Sequence, residues 1–228
     1  MMLDWKFEEV PAALVEQELT QRDQFNNDDV GLAEALDREV AQNSLDARKN
    51  DAAVKLRIEL RSLASTEAAE LRSLFESLRP HLAASGVDSS PLDRSEARIL
   101  VIEDFNTTGL TGRYDQLDEG HFNSFWRRHG RSGKGGKSGG RWGLGKLVFS
   151  SSSQIRVFFG LTAREGESNA LLMGQAVLSN HMIDGRRHPA HGFWFRDRAP
   201  DNLQLPVADE AIVQRMRSLL GFTRSAQS

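Results

Sequence analysis

A basic, glycine-rich stretch near the middle of the chain limits most strongly what this sequence can fold into. Eight of the sixteen residues from 130 to 145 are glycine. Glycine loses more backbone freedom on folding than any other residue, so this stretch is not expected to form a core helix or strand. Residues 120–164 also contain nine Lys and Arg but no Asp or Glu. A segment of this kind suits a lid over polyphosphate, because its N–H groups can approach closely and its charge is complementary. The alternative is a solvated linker, although a hydrophobic segment follows at once.

The composition indicates one ordinary globular domain with an appendage. The chain has 228 residues, of which 39% are hydrophobic and 27% charged, and its net charge of −3 gives no overall attraction to nucleic acid. The absence of cysteine excludes disulfides and thiolate metal sites. The N-terminus carries acids where a secretory signal needs basic and apolar residues, and no apolar run approaches the roughly 18 residues of a membrane span. We therefore expect a soluble, cytoplasmic protein with no membrane contact.

Apolar periodicity predicts alternating helices and strands on both sides of the glycine-rich stretch. A half-exposed strand is expected over 54–60, a central, fully buried strand over 99–102, and a hairpin formed by strands 154–161 and 170–178. Amphipathic or aromatic helices are expected over 32–48, 66–82, 121–129 and 208–220.

The first of these helices carries a polar edge beside its apolar stripe. Glu39, Asn43 and Asp46 are spaced i, i+4, i+7, so they fall within roughly 60° of one another on a helix. Two carboxylates and a carboxamide at the border of a buried face can hold a hydrated divalent cation or orient a water molecule.

An acid also ends the predicted buried strand. Asp104, with Glu103 as the competing candidate, precedes a turn-like stretch over 106–109. Ligand sites of α/β proteins lie at such strand ends. The simpler alternative is a turn that merely terminates the strand.

Three motifs, in this order, resemble those of the GHKL ATPases, which include gyrase, the ninety-kilodalton heat-shock chaperones, histidine kinases, MutL and MORC. The stretch from Glu39 to Ala47 resembles the N-box, and its ending, Asn-Ser-x-Asp-Ala, is similar to the MutL and chaperone form. Asp104 resembles the adenine-binding aspartate of the box Asp-x-Gly-x-Gly, although Asn106 replaces the first glycine and Gly109 comes one residue late. Residues 140–146 resemble the glycine motif G-x-x-G-x-G.

The resemblance implies an α+β fold, a two-layer α/β sandwich known as the Bergerat fold. Its mixed sheet would be covered on one face by helices and would carry a glycine-rich ATP lid. The ATP-binding domain would span residues 1–200, and residues 201–228 would be a C-terminal helical extension or the start of a following domain.

The resemblance also implies a role for each site residue. Glu39 would be the catalytic residue that polarises water, Asn43 would bind Mg²⁺, and Asp104 would bind adenine. Further contacts to ATP would come from Asp46, Ala47, Gly109, Gly140, Gly143, Leu144, Gly145 and Lys146.

The implied function is Mg²⁺-dependent ATP hydrolysis that drives lid closure and homodimerisation. MutL-like and MORC-like relatives act in DNA repair or in defence against foreign DNA, so DNA or other proteins of such a system are possible partners. The alternatives are a nucleotide-gated interaction module with negligible hydrolysis and a histidine-kinase-like phosphotransfer domain. Relatives complete their site with a lysine from a following domain, so this chain is expected to be part of a larger protein or a slow enzyme alone.

Two other site types fit the sequence less well. Gly136-Lys137-Ser138 matches the end of a P-loop, but the opening glycine should then stand at Arg131, and no strand precedes it. His188 and His191 are spaced i, i+3, yet no third metal ligand is evident, so surface or core histidines are expected.

Overall fold

The structure is a computed structural model that describes residues 3–11, 13–14, 31–63, 65–128 and 146–224. Its strands are β1 Asp4–Phe7, β2 Lys55–Leu63, β3 Ala97–Phe105, β4 Val157–Thr162, β5 Leu171–Val177, β6 His181–Ile183, β7 Arg186–His188 and β8 His191–Phe195. Its α-helices are α1 Leu32–Asp46, α2 Ser65–Ser73, α3 Arg79–Ala84, α4 His121–Trp126, α5 Leu147–Ser151 and α6 Glu210–Leu220. The predicted α+β class is confirmed.

The largest sheet has four antiparallel strands in the order β1-β8-β5-β4. Every residue of β5 is buried. Because side chains alternate across a strand, Leu172 and Ala176 face one core, which also contains α2, α3 and α6. Leu171 and Met173 face a second core with Phe122 and Trp126 of α4. Helices therefore cover both faces of this sheet, not one face as predicted.

Strands β2 and β3 form a separate antiparallel pair, and the described strands pair only in the antiparallel sense. The expected mixed sheet is thus not present among the described residues. The prediction that β3 is a fully buried central strand is also wrong, since Leu100 is 44% exposed. One face is buried, with Val101 and Glu103 inside and Ile99 packed against the main core. On the other face α1 and α5 cover only the region around Ile102.

The helix predicted over 66–82 is broken into three pieces. Helix α2 ends at Ser73, a 3-10 turn follows at Glu76–Leu78, and α3 begins at Arg79 with Pro80 in its first turn. Proline has no N–H and clashes with the preceding turn, so it is tolerated at a helix start and not inside a helix. The buried residues Leu71, Phe75 and Leu78 still face the core, as the periodicity predicted.

Helix α6 closes the main core with Val213, Met216, Leu219 and Leu220. Asp209 caps its N-terminus by accepting a hydrogen bond from the N–H of Ile212. Gly221 ends it in the left-handed conformation, with φ of 81°. None of the helices in the described part of the chain is long and apolar enough to cross a membrane.

Candidate functional site

A cleft of about 1600 Å³ lies between β3 and β4, two strands that do not pair with each other. This volume exceeds that of most small-molecule sites, so the residues around the cleft say more than its size. Among them are all the predicted site residues that the structure describes: Glu39, Asn43, Asp46, Ala47, Asp104, Gly109 and Lys146. The other four, Gly140, Gly143, Leu144 and Gly145, lie outside the described residues, as does the P-loop candidate Gly136-Lys137-Ser138.

One end of the cleft is the polar edge of α1, here called the α1 end and defined by Glu39, Asn43, Asp46 and Ala47. The helix forms where the periodicity predicts it, with Leu36 and Val40 buried. Asn43 donates a hydrogen bond from Nδ2 to Oε1 of Glu39 over 3.0 Å. This bond turns the amide oxygen of Asn43, the atom that a hard cation prefers, away from the carboxylate.

The loop after β3 is docked on the C-terminal end of α1. The N–H of Thr108 donates to the carbonyl of Ala47 over 2.8 Å, and the N–H of Lys49 donates to the carbonyl of Asn106 over 2.9 Å. Two motifs that are far apart in sequence are thereby held side by side. Asn106 has a φ of 62°, the left-handed region that favours glycine and that asparagine tolerates best among other residues. Asparagine is therefore compatible with this backbone position, which favours glycine.

Gly109 brings the same loop against the end of β4. Its φ is 71°, and a Cβ at this position would lie 2.4 Å from the carbonyl oxygen of Ala163. The next residue, Leu110, donates its N–H to the hydroxyl of Thr162 over 2.8 Å. Only glycine allows so close an approach, so Gly109 supports the cleft wall through its backbone.

The part of the cleft that adjoins the α1 end, here called the Asp104 corner, comprises Glu103, Asp104 and Arg224, together with Thr107, which bonds to Arg224. Oδ1 of Asp104 accepts a hydrogen bond from Nη1 of Arg224 over 2.6 Å. The Arg224 side chain is only 13% exposed, and that of Asp104 is 31% exposed. The carboxylate predicted to bind adenine is thus paired with an internal arginine.

Glu103 turns to the opposite side of the strand and anchors the C-terminal segment. Its carboxylate accepts hydrogen bonds from the backbone N–H groups of Thr223 and Arg224 over 2.6 and 2.8 Å, and from Arg57 over 2.5 Å. Burial acts to raise the pKa of Glu103, but the hydrogen bonds from Arg224, Thr223 and Arg57 outweigh it and hold that pKa below its ordinary value. Glu103 is therefore an ionised structural residue whose carboxylate holds the C-terminal segment, which leaves Asp104 as the acid for a ligand contact.

Lys146 stands immediately before α5. Its Nζ donates to the carbonyl oxygens of Ser124 and Phe125, both over 3.2 Å, and to that of Arg128. These carbonyls lie at the C-terminal end of α4, where a cation is favourable. Burial lowers the pKa of Lys146 to about 8. A phosphate contact by this residue would require it to exchange these bonds.

The described residues contain no cluster of three or more His, Cys, Asp or Glu side chains that could hold a metal ion alone. The ring of His188 lies 5.3 Å from that of His81 and 5.5 Å from that of His181. These three histidines do not form such a cluster. Mg²⁺ in nucleotide sites is bound by one or two protein ligands together with phosphate oxygens and water. Asn43 at the α1 end fits that requirement.

Sequence reasoning missed two residues that line the cleft, Thr162 and Arg224. Thr162 is the last residue of β4 and lies just beyond the predicted strand 154–161, and Arg224 follows a helix end with no local pattern that marks it. No protein-family model matches this chain, and no curated protein or solved structure matches it either. Function is therefore inferred from the side chains and their geometry.

Proposed function

We propose that this chain is the ATP-binding domain of a GHKL-type ATPase that binds and hydrolyses ATP with Mg²⁺. The observation that carries the proposal is that residues of the first two sequence motifs, and Lys146 directly after the third, line one cleft. Residues Glu39 and Lys146 are over 100 positions apart, yet they and the five described site residues between them all line it.

The two parts of the cleft suit the two ends of the nucleotide. Asp104 would accept a hydrogen bond from the adenine amino group, and Asn43 would bind Mg²⁺ through its amide oxygen. Glu39 would orient a water molecule for in-line attack on the terminal phosphate. Mg²⁺, when bound, supplies charge neutralisation at the phosphate oxygens. The hydrogen bond between Asn43 and Glu39 supports this assignment, because it fixes the base beside the metal ligand.

We assign residues 130–145 to a lid over the phosphates of a Bergerat-type domain, and lid closure to ATP-dependent homodimerisation. The N-box ending, Asn43-Ser44-x-Asp46-Ala47, and the long basic stretch favour the ATPase branch over the histidine kinases. Within that branch we propose a cytoplasmic MutL-like or MORC-like protein that acts in DNA repair or in defence against foreign DNA. The basic, acid-free stretch is compatible with contacts to ATP phosphates and to DNA.

One observation favours a second candidate, a nucleotide-gated interaction module with negligible hydrolysis. Hydrolysis needs positive charge directed at the phosphates in the transition state. The ammonium group of Lys146 is instead bound by carbonyls at the end of α4.

Calorimetric titration with ATP and Mg²⁺, together with phosphate release, tests the proposal on the wild type, Asp104→Asn and Glu39→Ala. The wild type should bind, and Asp104→Asn should lose at least about tenfold in affinity, since it removes a charged acceptor. Glu39→Ala should still bind, but its phosphate release should fall by roughly 100-fold or more.

Matched controls are Asp51→Asn in an exposed turn and Asp37→Ala on the exposed back of α1, and neither should change binding or release. Binding by the wild type without phosphate release would favour the second candidate. An Asp104→Asn variant that binds ATP like the wild type when both proteins also carry Arg224→Gln, or no binding by any protein, would overturn the proposal.

A further inference from the structure

We infer that the segment from Gly221 to Arg224 is an internal competitor for the base end of the nucleotide site, so that ATP binding and tail docking exclude each other. This inference rests on the proposed function, since it concerns the same cleft. It assigns to Arg224 a regulatory role that is separate from ATP chemistry.

The docked guanidinium of Arg224 fills the Asp104 corner. Nη1 donates to the carboxylate of Asp104 over 2.6 Å, to its carbonyl over 3.0 Å and to the hydroxyl of Thr107 over 2.7 Å. Nη2 donates to the carbonyl of Thr107 over 2.7 Å and to that of Ala163 over 3.4 Å. One side chain thus joins the end of β3, the loop after it and the end of β4.

The tail reaches this corner by a defined route. Gly221 ends α6 in a left-handed conformation, and its carbonyl accepts a hydrogen bond from Arg57 over 3.1 Å. The carboxylate of Glu103 then accepts hydrogen bonds from the N–H groups of Thr223 and Arg224 and from the Thr223 hydroxyl. The strand therefore uses adjacent acids on opposite faces: Glu103 holds the tail backbone, and Asp104 holds the Arg224 side chain.

A guanidinium N–H and an adenine amino group are the same kind of donor for a carboxylate. While Arg224 is docked, its positive charge and two of its nitrogens occupy the acceptors that a base would need. Nucleotide binding then requires the fraction of molecules in which Arg224 has left, and the apparent affinity falls by that fraction. The docked state also leaves Nε of Arg224 buried without a hydrogen-bond partner in the described structure, a cost that release removes.

The test compares Arg224→Gln with the wild type for three ligands: ATP, adenosine and inorganic tripolyphosphate. Arg224→Gln should bind ATP and adenosine roughly tenfold more tightly, because it removes the competing charge. Tripolyphosphate has no base, so its affinity should not rise. Arg215→Gln is the matched control, since Arg215 has the same charge and pairs with Glu70 outside the cleft.

A second variant guards against misfolding of the first. Thr223→Val removes one hydrogen bond to Glu103 and leaves Arg224 and Asp104 intact, so it should raise adenosine affinity by a smaller factor, roughly two- to threefold. In the wild type, ATP should accelerate hydrogen exchange at the amides of Thr223 and Arg224, because binding and docking are reciprocally linked.

The outcomes separate this inference from the function on which it rests. Unchanged or weaker adenosine binding by both variants, while the wild type binds ATP at Asp104, would overturn the tail competition and leave the ATPase proposal in place. An equal gain for tripolyphosphate would also overturn it, since the effect would then not be at the base end. No binding of ATP or adenosine by any variant would overturn the proposed function and this inference with it.

Discussion

At the α1 end of the cleft, Glu39 and Asn43 bond to each other on the edge of one helix, four residues apart. At the Asp104 corner, Glu103 and Asp104 are held by a segment that lies about 120 residues further along the chain. The Glu39–Asn43 pair is a local contact within one helix, whereas the Asp104 corner is occupied by the side chain of Arg224. A ligand that binds Asp104 would therefore have to displace the side chain of Arg224, whereas a ligand at Glu39 and Asn43 would not.

The largest expected effect is a difference between Glu103 and Glu39 in what each contributes to the free energy of unfolding. Glu103→Ala removes a side chain that is 4% exposed and leaves Arg57 and two backbone N–H groups without their acceptor. We expect a loss of about 3 kcal/mol in the free energy of unfolding. Glu39→Ala should cost no more than about 0.5 kcal/mol, since Glu39 is half-buried at the cleft surface. Urea unfolding measures both values. Equal losses would show that Glu103 is no more important to the fold than Glu39.

A slightly smaller effect should appear at Gly109, which links the loop of the Asp104 corner to the end of β4. Gly109→Ala should destabilise the fold by roughly 2–3 kcal/mol, because it adds both left-handed strain and a clash with the Ala163 carbonyl. Gly166→Ala is the matched control: Gly166 also has a positive φ, of 77°, but has open space around it, so only about 1 kcal/mol is expected. Thermal unfolding of the two variants is the measurement. If both variants lose the same free energy of unfolding, the close approach of Gly109 to the Ala163 carbonyl does not contribute to stability.

The smallest effect is one of pH and concerns the tail anchor alone. The folded-state pKa of Glu103 lies below its ordinary value of 4.5, so the unfolded chain binds more protons as the pH falls through that range. The stabilisation from Glu103 is thus complete above pH 4.5 and is lost progressively below it. The stability difference between the wild type and Glu103→Gln should be constant from pH 7 to 6 and should narrow toward pH 3. Urea unfolding across this range measures it, and a difference that stays constant or widens would show that Glu103 is not held ionised by the tail.

Much of the α1 end could be predicted from the sequence, because it depends on local periodicity. The spacing of Leu36 and Val40 fixes which side of α1 is buried, and this in turn places Glu39 and Asn43 at the border. The β4–β5 hairpin and α6 were predicted for the same reason. Pro80 is also a local signal, because proline is disfavoured inside a helix, and it indicates that a helix starts there.

The Asp104 corner could not be predicted, because its contacts are long-range. Nothing near Arg224 in sequence indicates that it pairs with Asp104, and nothing in the apolar run of β3 indicates which of its faces is covered. A short apolar run looks the same in sequence whether the strand is central in a sheet or, like β3, pairs with one neighbour only. The separation of β3 from β4, which creates the cleft, is a property of the whole fold.

The most direct test of the central claim is to locate the metal of a bound nucleotide by backbone NMR, with paramagnetic Mn²⁺ in place of Mg²⁺. If ATP lies in the cleft with its phosphates at the α1 end, Mn²⁺ added with ATP should broaden the amide signals of residues 39–44 most strongly and those of 103–104 and 223–224 less. Mn²⁺ added without ATP should leave both sets sharp, since Asn43 alone binds the ion weakly. Strongest broadening at the Asp104 corner or away from the cleft, or none that depends on ATP, would contradict the account.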